Sequence, residues 1–277
     1  MTVESRQVSR NPETFPDAQL IAKDFDGTVA RTFEKSPNGI GVNESYTAAI
    51  ETMFGSKALR HYLQGGGLRN RATIEVIQEL APDARGKELV QLGTTFTDLR
   101  LGVFLDEIGQ RFPDGNIWPR PTPGYLELRE QVDAARSQGR LIDDLILSSG
   151  HARFIEKTYR AWNVGPPTHI VAEEAIRQNA PGVPAEKLIK PSPKVMEIAR
   201  SIWRSSYGIA PGALPHTDER HRIIYVGDDP VKDGELARSS GIDFILLDPA
   251  NSSETWQNLT ARMRLGDTAL RGAHESI

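Results

Sequence analysis

The chain has 277 residues, 37 acidic against 33 basic side chains, a formal net charge of −4, 38% hydrophobic residues and no cysteine. That length suits a core domain with a modest insertion. The lack of cysteine removes disulfides, thiolate metal sites and cysteine nucleophiles, and the acidic balance argues against nucleic acid as a partner, which needs a basic face. No apolar run approaches the roughly 18–20 residues of a membrane span. The N-terminal stretch MTVESRQVSRNPETFPDAQ lacks the apolar core of a signal peptide. The expectation is a cytoplasmic protein with neither membrane nor nucleic-acid partners, a monomer or small homo-oligomer.

In chain order, residues 1–18 read as a polar lead-in with Pro12 and Pro16, and QLIAKDF as the first strand. From 31 to 115 the texture is helical. NESYTAAIETMF opens on Asn43 as an N-cap, SKALRHYL and RNRATIEVIQEL follow, and a periodic segment runs from about 84 to 111. FPDGNIWPRPTPG holds four prolines and two glycines, the composition of a domain junction. Beyond it the pattern alternates: helix YLELREQVDAARSQG, strand DDLILSS, helix ARFIEKTYRAW, strand THIVA, helix KVMEIARSIWRS, strand RIIYVGDD, helix VKDGELARSS and strand DFILLD. Short apolar strands between helices of about three turns predict βαβ units and a parallel sheet. The first strand fits that sheet, so the predicted class is α/β with a core domain over 19–30 and 116–264 and an all-helical domain over 31–115. The tail, 265–277, is polar and expected to be flexible.

The stretch LIAKDFDGTVA carries the chemistry. Ligands of parallel α/β sheets bind at the carboxyl ends of strands, where Asp24 and Asp26 sit. Side chains two apart on a strand share a side, so both carboxylates can face one point. Such a pair divides into an ionised group, nucleophile or metal ligand, and a protonated one that serves as acid and base. Gly27 permits a sharp turn close to a ligand.

DFDGT is the D-x-D-G-T signature of the haloacid dehalogenase superfamily of phosphohydrolases, which the chain resembles, and three further segments follow in the family's order. LILSSG is similar to the second motif and maps to Ser148. KPSP is similar to the third and maps to Lys190. IIYVGDDPVKD is similar to the fourth and maps to Asp228 and Asp233. The resemblance spans about residues 19 to 248. It implies a Rossmann-like three-layer α/β/α core with an inserted helical cap, and a small phosphorylated substrate. Asp24 would be nucleophile and metal ligand, and Asp26 the proton carrier, its main-chain carbonyl also meeting the metal. Asp228 would be a further ligand of Mg²⁺, and Lys190 would meet nucleophile and phosphate. Ser148 would bind a phosphate oxygen with help from the backbone around Ser149, and Asp233 would orient Lys190 or a metal-bound water. Asp229 is either a supporting partner or a helix cap.

Electrostatics independently requires such a set. A phosphoryl group about 4 Å from a carboxylate meets roughly 4 kcal/mol of repulsion per charge pair at an effective dielectric near 20. A hard cation and a lysine on opposite sides cancel it. Two features depart from the family pattern: Lys23 stands where an apolar residue, often Phe, is usual, and the connection 163–190 is longer than the common compact link. In the helical block, Arg69 and Arg71 of LQGGGLRNRA offer donors for a second anionic group, or are simply solvated arginines. His151 reads as an outward helix residue or a substrate contact. Other chemistries of the family are phosphonate cleavage, for which Lys35 and Lys57 are the lysines at hand, and phosphoryl-transfer mutation. A silent binding module is the reading from a different class.

Overall fold

The structure is a computed structural model that describes residues 15, 17–66, 73–184, 187–210 and 219–272. Five parallel strands form one sheet: β1 (Gln19–Lys23), β2 (Ile142–Leu147), β3 (His169–Val171), β4 (Ile223–Gly227) and β5 (Asp243–Leu246), in the order β3-β2-β1-β4-β5. β1 and β2 are covered on both faces, so their side chains are buried almost throughout, the charged Lys23, Asp143 and Asp144 included. The chain leaves β1 toward β2 on one side and reaches β4 on the other, so a crevice opens at the carboxyl end of β1. Register levels the strand ends, because Lys23 pairs with both Ile146 and Val226. Asp24, Ser148 and Asp228 therefore leave the same edge of the sheet.

Among the described residues, α4 (Tyr125–Ser137), α6 (Glu173–Gln178), α7 (Pro193–Ser205), α8 (Lys232–Ser240) and α9 (Ser252–Gly272) belong to the same unit as the sheet, and α5 (Ala152–Ala161) begins in it. On one face Leu20, Ala22, Leu145, Leu147 and Tyr225 pack with Val195, Met196, Ala199 and Trp203 of α7 and Leu236 of α8. On the other, α4 meets α9, with the Tyr125 ring edge-on to Trp256 at 5.5 Å. This is the Rossmann-like α/β/α arrangement the motifs imply.

Alternation along the strands accounts for Lys23. Leu20 and Ala22 join the α7 face, so Lys23 points to the α4 face, where its ammonium donates to Asp144 Oδ2 at 3.2 Å. Arg129 of α4 donates to the same oxygen at 2.6 Å, and Thr168 gives Oδ1 an N–H at 3.0 Å and a hydroxyl at 3.1 Å. The neighbouring Asp143 faces the other way and accepts from Trp203 Nε1 at 2.9 Å and Tyr207 at 2.8 Å.

The chain divides into two compact units, one built from the chain up to Arg31, Pro121–Ile155 and Gly165 onward, the other from Thr32–Arg120 and Glu156–Val164. The second unit is helical: α1 (Val42–Gln64), α2 (Thr73–Leu80) and α3 (Gly86–Glu107) bury Tyr46, Ile50, Tyr62, Val76, Ile77 and Phe96 together. Within it Trp118 Nε1 donates to Glu34 O at 2.9 Å, and Trp162 Nε1 to Pro119 O at 2.7 Å, which ties in Glu156–Val164.

Several local expectations change. The cap of α1 is Gly41 rather than Asn43, because Glu44 folds back to accept the Gly41 N–H at 3.0 Å. NESYTAAIETMF and SKALRHYL join into α1, broken at Gly55, whose φ of 78° suits glycine. RNRATIEVIQEL begins in residues outside those described and contributes α2 from Thr73. The connection 163–190 contains the short helix α6. Helix α9 runs through Gly272, into the segment read as a tail. Among the described residues no helix is long and apolar enough to cross a membrane.

Candidate active site

Asp24 directly follows β1, fixed by its own N–H donating to Val226 O at 2.9 Å. Asp228 directly follows β4, and its Oδ1 accepts the Thr28 hydroxyl at 2.8 Å. Asp233 rises from the first turn of α8. Carboxylate oxygens of Asp24, Asp228 and Asp233 lie within 4.8 Å of one another, an all-oxygen set of the kind a hard divalent cation takes. Between β1 and β2, Gly27, at φ 81°, turns the chain so that its N–H meets Ala30 O at 2.8 Å. Asp26 then faces Ser148, whose hydroxyl lies 3.5 Å from Asp26 Oδ2 and accepts the Gly150 N–H at 2.9 Å.

Lys190 is the hub. Its ammonium donates to Asp24 Oδ1 at 2.5 Å, Asp233 Oδ1 at 2.9 Å and the Tyr225 hydroxyl at 3.2 Å. The segment after it starts α7, with Ser192 accepting the Lys194 N–H and Pro193 in the first turn, so cap and site share one short motif. Asp233 is already served by three donors: Lys190 and Tyr225 on Oδ1, and the Asp229 N–H on Oδ2 at 3.2 Å. That suits it to hold Lys190.

Charges are crowded. Burial raises the Asp24 carboxyl to about 7; Lys190 pulls it down, while Asp233 and Asp26 push it further up. Burial likewise lifts Asp228, against the pull of the Thr28 hydroxyl. For Lys190 burial works against the charge, but Tyr225, Asp24 and Asp233 prevail and hold it well above the ordinary lysine range. Lys190 is therefore a fixed cation among acids that outnumber it.

The structure brings Asp24, Asp26, Ser148, Lys190, Asp228 and Asp233 to one edge of the sheet. Ser149 is exposed beside this network. The Asp229 side chain accepts the Val231 and Lys232 N–H groups at 2.9 Å each, just ahead of α8, and its own N–H donates to Asp233 Oδ2 at 3.2 Å. His151 is partly buried and meets Glu174 Oε1 through Nδ1 at 2.6 Å, so it is tied to α6 rather than turned outward. Lys35 pairs with Glu44, and Lys57 is exposed. Arg69 and Arg71 lie outside the described residues. Three participants were not singled out from sequence: Thr28, Tyr225 and Gly227. A Cβ on Gly227 would stand 2.3 Å from Asp233 Oδ2, so only glycine leaves room for that carboxylate. Thr28 and Gly227 stand within the motifs themselves, whereas Tyr225 reads as an ordinary strand residue.

The fold agrees with the one the motifs imply. Similar solved structures include a Bacillus subtilis protein described as a HAD-hydrolase and solved with magnesium, 14% identical over 83% of this chain and 88% of that one, TM-score 0.41. CbbY from Rhodobacter sphaeroides, solved with phosphate, is 17% identical over 83% of this chain and 85% of its own, TM-score 0.45. A β-phosphoglucomutase from Clostridium difficile is 10% identical over 83% and 85%, TM-score 0.46. No protein-family model matches the chain, and no curated protein does.

Proposed function

We propose that the chain is a magnesium-dependent phosphohydrolase of the haloacid dehalogenase superfamily, cleaving the phosphoric monoester of a small metabolite through an aspartyl-phosphate. The observation that carries this reading is the convergence at one sheet edge: three carboxylates within 4.8 Å, two of them bridged by Lys190, beside an Asp26–Ser148 pair. Asp24 Oδ attacks phosphorus as the ester P–O bond breaks, and Asp26 gives its proton to the departing alkoxide. The Asp26 carboxylate then takes a proton from water, whose oxygen displaces Asp24 from phosphorus and regenerates both acids. Lys190 and Ser148 steady the phosphoryl oxygens through N–H and O–H donors.

The donor set fits magnesium, with hard carboxylate oxygens only. Asp24 and Asp228 would hold the ion with the main-chain carbonyl of Asp26, and it would offset charge on the transferring group. Asp233, held by three donors, stays with Lys190.

The test is phosphate release from an aryl phosphate in Mg²⁺ by the wild type and by Asp24→Asn. Loss of the nucleophile is expected to lower kcat by about a thousandfold or more. An Asp24→Asn protein that keeps its activity would falsify the assignment, and a panel of phosphorylated metabolites then ranks substrates by kcat/KM.

A further inference from the structure

Tyr225 lies in β4, three residues ahead of Asp228. Its ring is fully buried and stacked on Phe244 of β5, centroids 6.4 Å and planes 25° apart. The sheet register fixes its backbone between Ala22 and Phe244. The hydroxyl's two hydrogen bonds have only one possible sense, since an ammonium only donates and an ionised carboxylate only accepts. Tyr225 therefore donates to Asp233 Oδ1 at 2.9 Å and accepts from Lys190 Nζ at 3.2 Å.

An ammonium has three N–H bonds, and here each has an acceptor: Asp24, Asp233 and the phenol. The two carboxylates attract the charge from a broad range of directions. The neutral hydroxyl, its proton committed to Asp233 and its oxygen held in place by the buried, stacked ring, presents its lone pairs from a fixed position and so sets where the third N–H points. Gly227 belongs to the same arrangement. It lies two residues on from Tyr225 and so on the same side of β4, and its missing side chain leaves the space that Asp233 occupies to reach the phenol. Gly234 does the same from α8, where a Cβ would stand 3.3 Å from the Phe244 ring.

We propose that Tyr225 is a positioning residue: through its hydroxyl it aims the Lys190 ammonium at Asp24, and it does so without adding charge to a cluster already rich in carboxylates. What Lys190 then does to a phosphoryl group rests on the phosphohydrolase reading above. The positioning itself rests on the hydrogen bonds alone.

The experiment is a double-mutant cycle on the full chain in Mg²⁺ with wild type, Tyr225→Phe, Lys190→Met and the double variant. It is read both by calorimetric titration with inorganic phosphate and by kcat and KM on an aryl phosphate. Tyr225→Phe keeps the ring and is expected to weaken phosphate binding and lower kcat about tenfold each, yet to change either by less than about twofold in the Lys190→Met background. Equal losses in both backgrounds would mark a packing role and overturn the proposal, as would wild-type values in Tyr225→Phe. If Lys190→Met binds too weakly to measure, Tyr225→Phe decides alone: the loss at an unchanged melting temperature supports the proposal, and no loss overturns it. Coupled phosphate binding without turnover of any ester overturns the hydrolase reading and leaves the role of Tyr225 standing. Turnover without coupling does the reverse, and a wild type that binds no phosphate overturns both.

Discussion

Asp24 and Lys190 are held by the same hydrogen bond yet pulled in opposite directions by burial, and the difference decides their roles. Burial favours the neutral form of each, but Lys190 gains Tyr225, Asp24 and Asp233, while Asp24 must share that one ammonium with other acids. The lysine stays charged, and the carboxyl is left near neutrality until more positive charge arrives. Gly227 shows how little room the arrangement leaves. Its φ lies outside the left-handed region, so an alanine there meets no backbone penalty, but its Cβ would sit 2.3 Å from Asp233 Oδ2 and 2.4 Å from Cγ. Gly227→Ala must move Asp233 and with it Lys190, at a cost of about 1–3 kcal/mol for overpacking. The expected outcome in an activity assay is a loss of kcat at least as large as in Tyr225→Phe, with a lowered denaturation midpoint. Wild-type kcat in Gly227→Ala would show that Asp233 does not need this position.

At the scale of elements, β2 places two consecutive acids in the interior and sends them to opposite faces of the sheet. Asp143 meets neutral donors, the Trp203 indole and the Tyr207 phenol, while Asp144 meets Lys23 and Arg129. Burial pushes Asp144 up, but Lys23 and Arg129 outweigh it and hold the carboxyl well below the ordinary range. The sign follows: a depressed carboxyl pKa adds stability that is present above the unfolded value, about 4, and is lost as pH falls below it. Removing the acid leaves two buried cations facing each other, so Asp144→Ala is expected to cost about 3–5 kcal/mol and to flatten the acid limb of stability against pH. Lys23→Met is expected to cost less than half as much, because Arg129 and Thr168 still satisfy Asp144. Urea midpoints from about pH 3 to 7 measure both, and equal costs would contradict this account. The same pair marks where sequence reading reaches its limit. Lys23 and Asp144 are 121 residues apart, and only the β1–β2 register makes them neighbours. The four motif segments were legible because each carries its chemistry within a few neighbouring residues, three at the ends of β1, β2 and β4 and one just ahead of α7. Tyr225 acts through contacts with Lys190 and Asp233 that no local pattern records. Helix α6 is six residues long, too short to show a period, and α9 is polar enough to resemble a tail.

Across the whole molecule the formal charge is −4, a balance that disfavours an anionic substrate at long range and gives the local field the deciding part. In the site, Asp24, Asp228 and Asp233 crowd together and Asp26 adds its charge beside them, while Lys190 is bonded to Asp24 and Asp233. Without further cations the cluster relieves its charge by holding a proton, which is the meaning of an Asp24 carboxyl at about 7, raised first by burial and then by its acidic neighbours. A divalent ion competes for that same carboxylate, so binding and deprotonation are linked. Below pH 7 each magnesium bound must displace about one proton, and the apparent Kd is expected to fall about tenfold per pH unit as pH rises toward 7, then level off. Calorimetric titration of the full chain with Mg²⁺ in buffers of different ionisation enthalpy counts that proton directly. In Asp24→Asn the carboxyl is gone, so the ion is expected to bind more weakly and with less proton release, that of the raised Asp228 alone remaining. A proton count near zero for the wild type at pH 6 would mean that Asp24 is already ionised before the metal arrives, and that the cluster is balanced by a charge other than the metal.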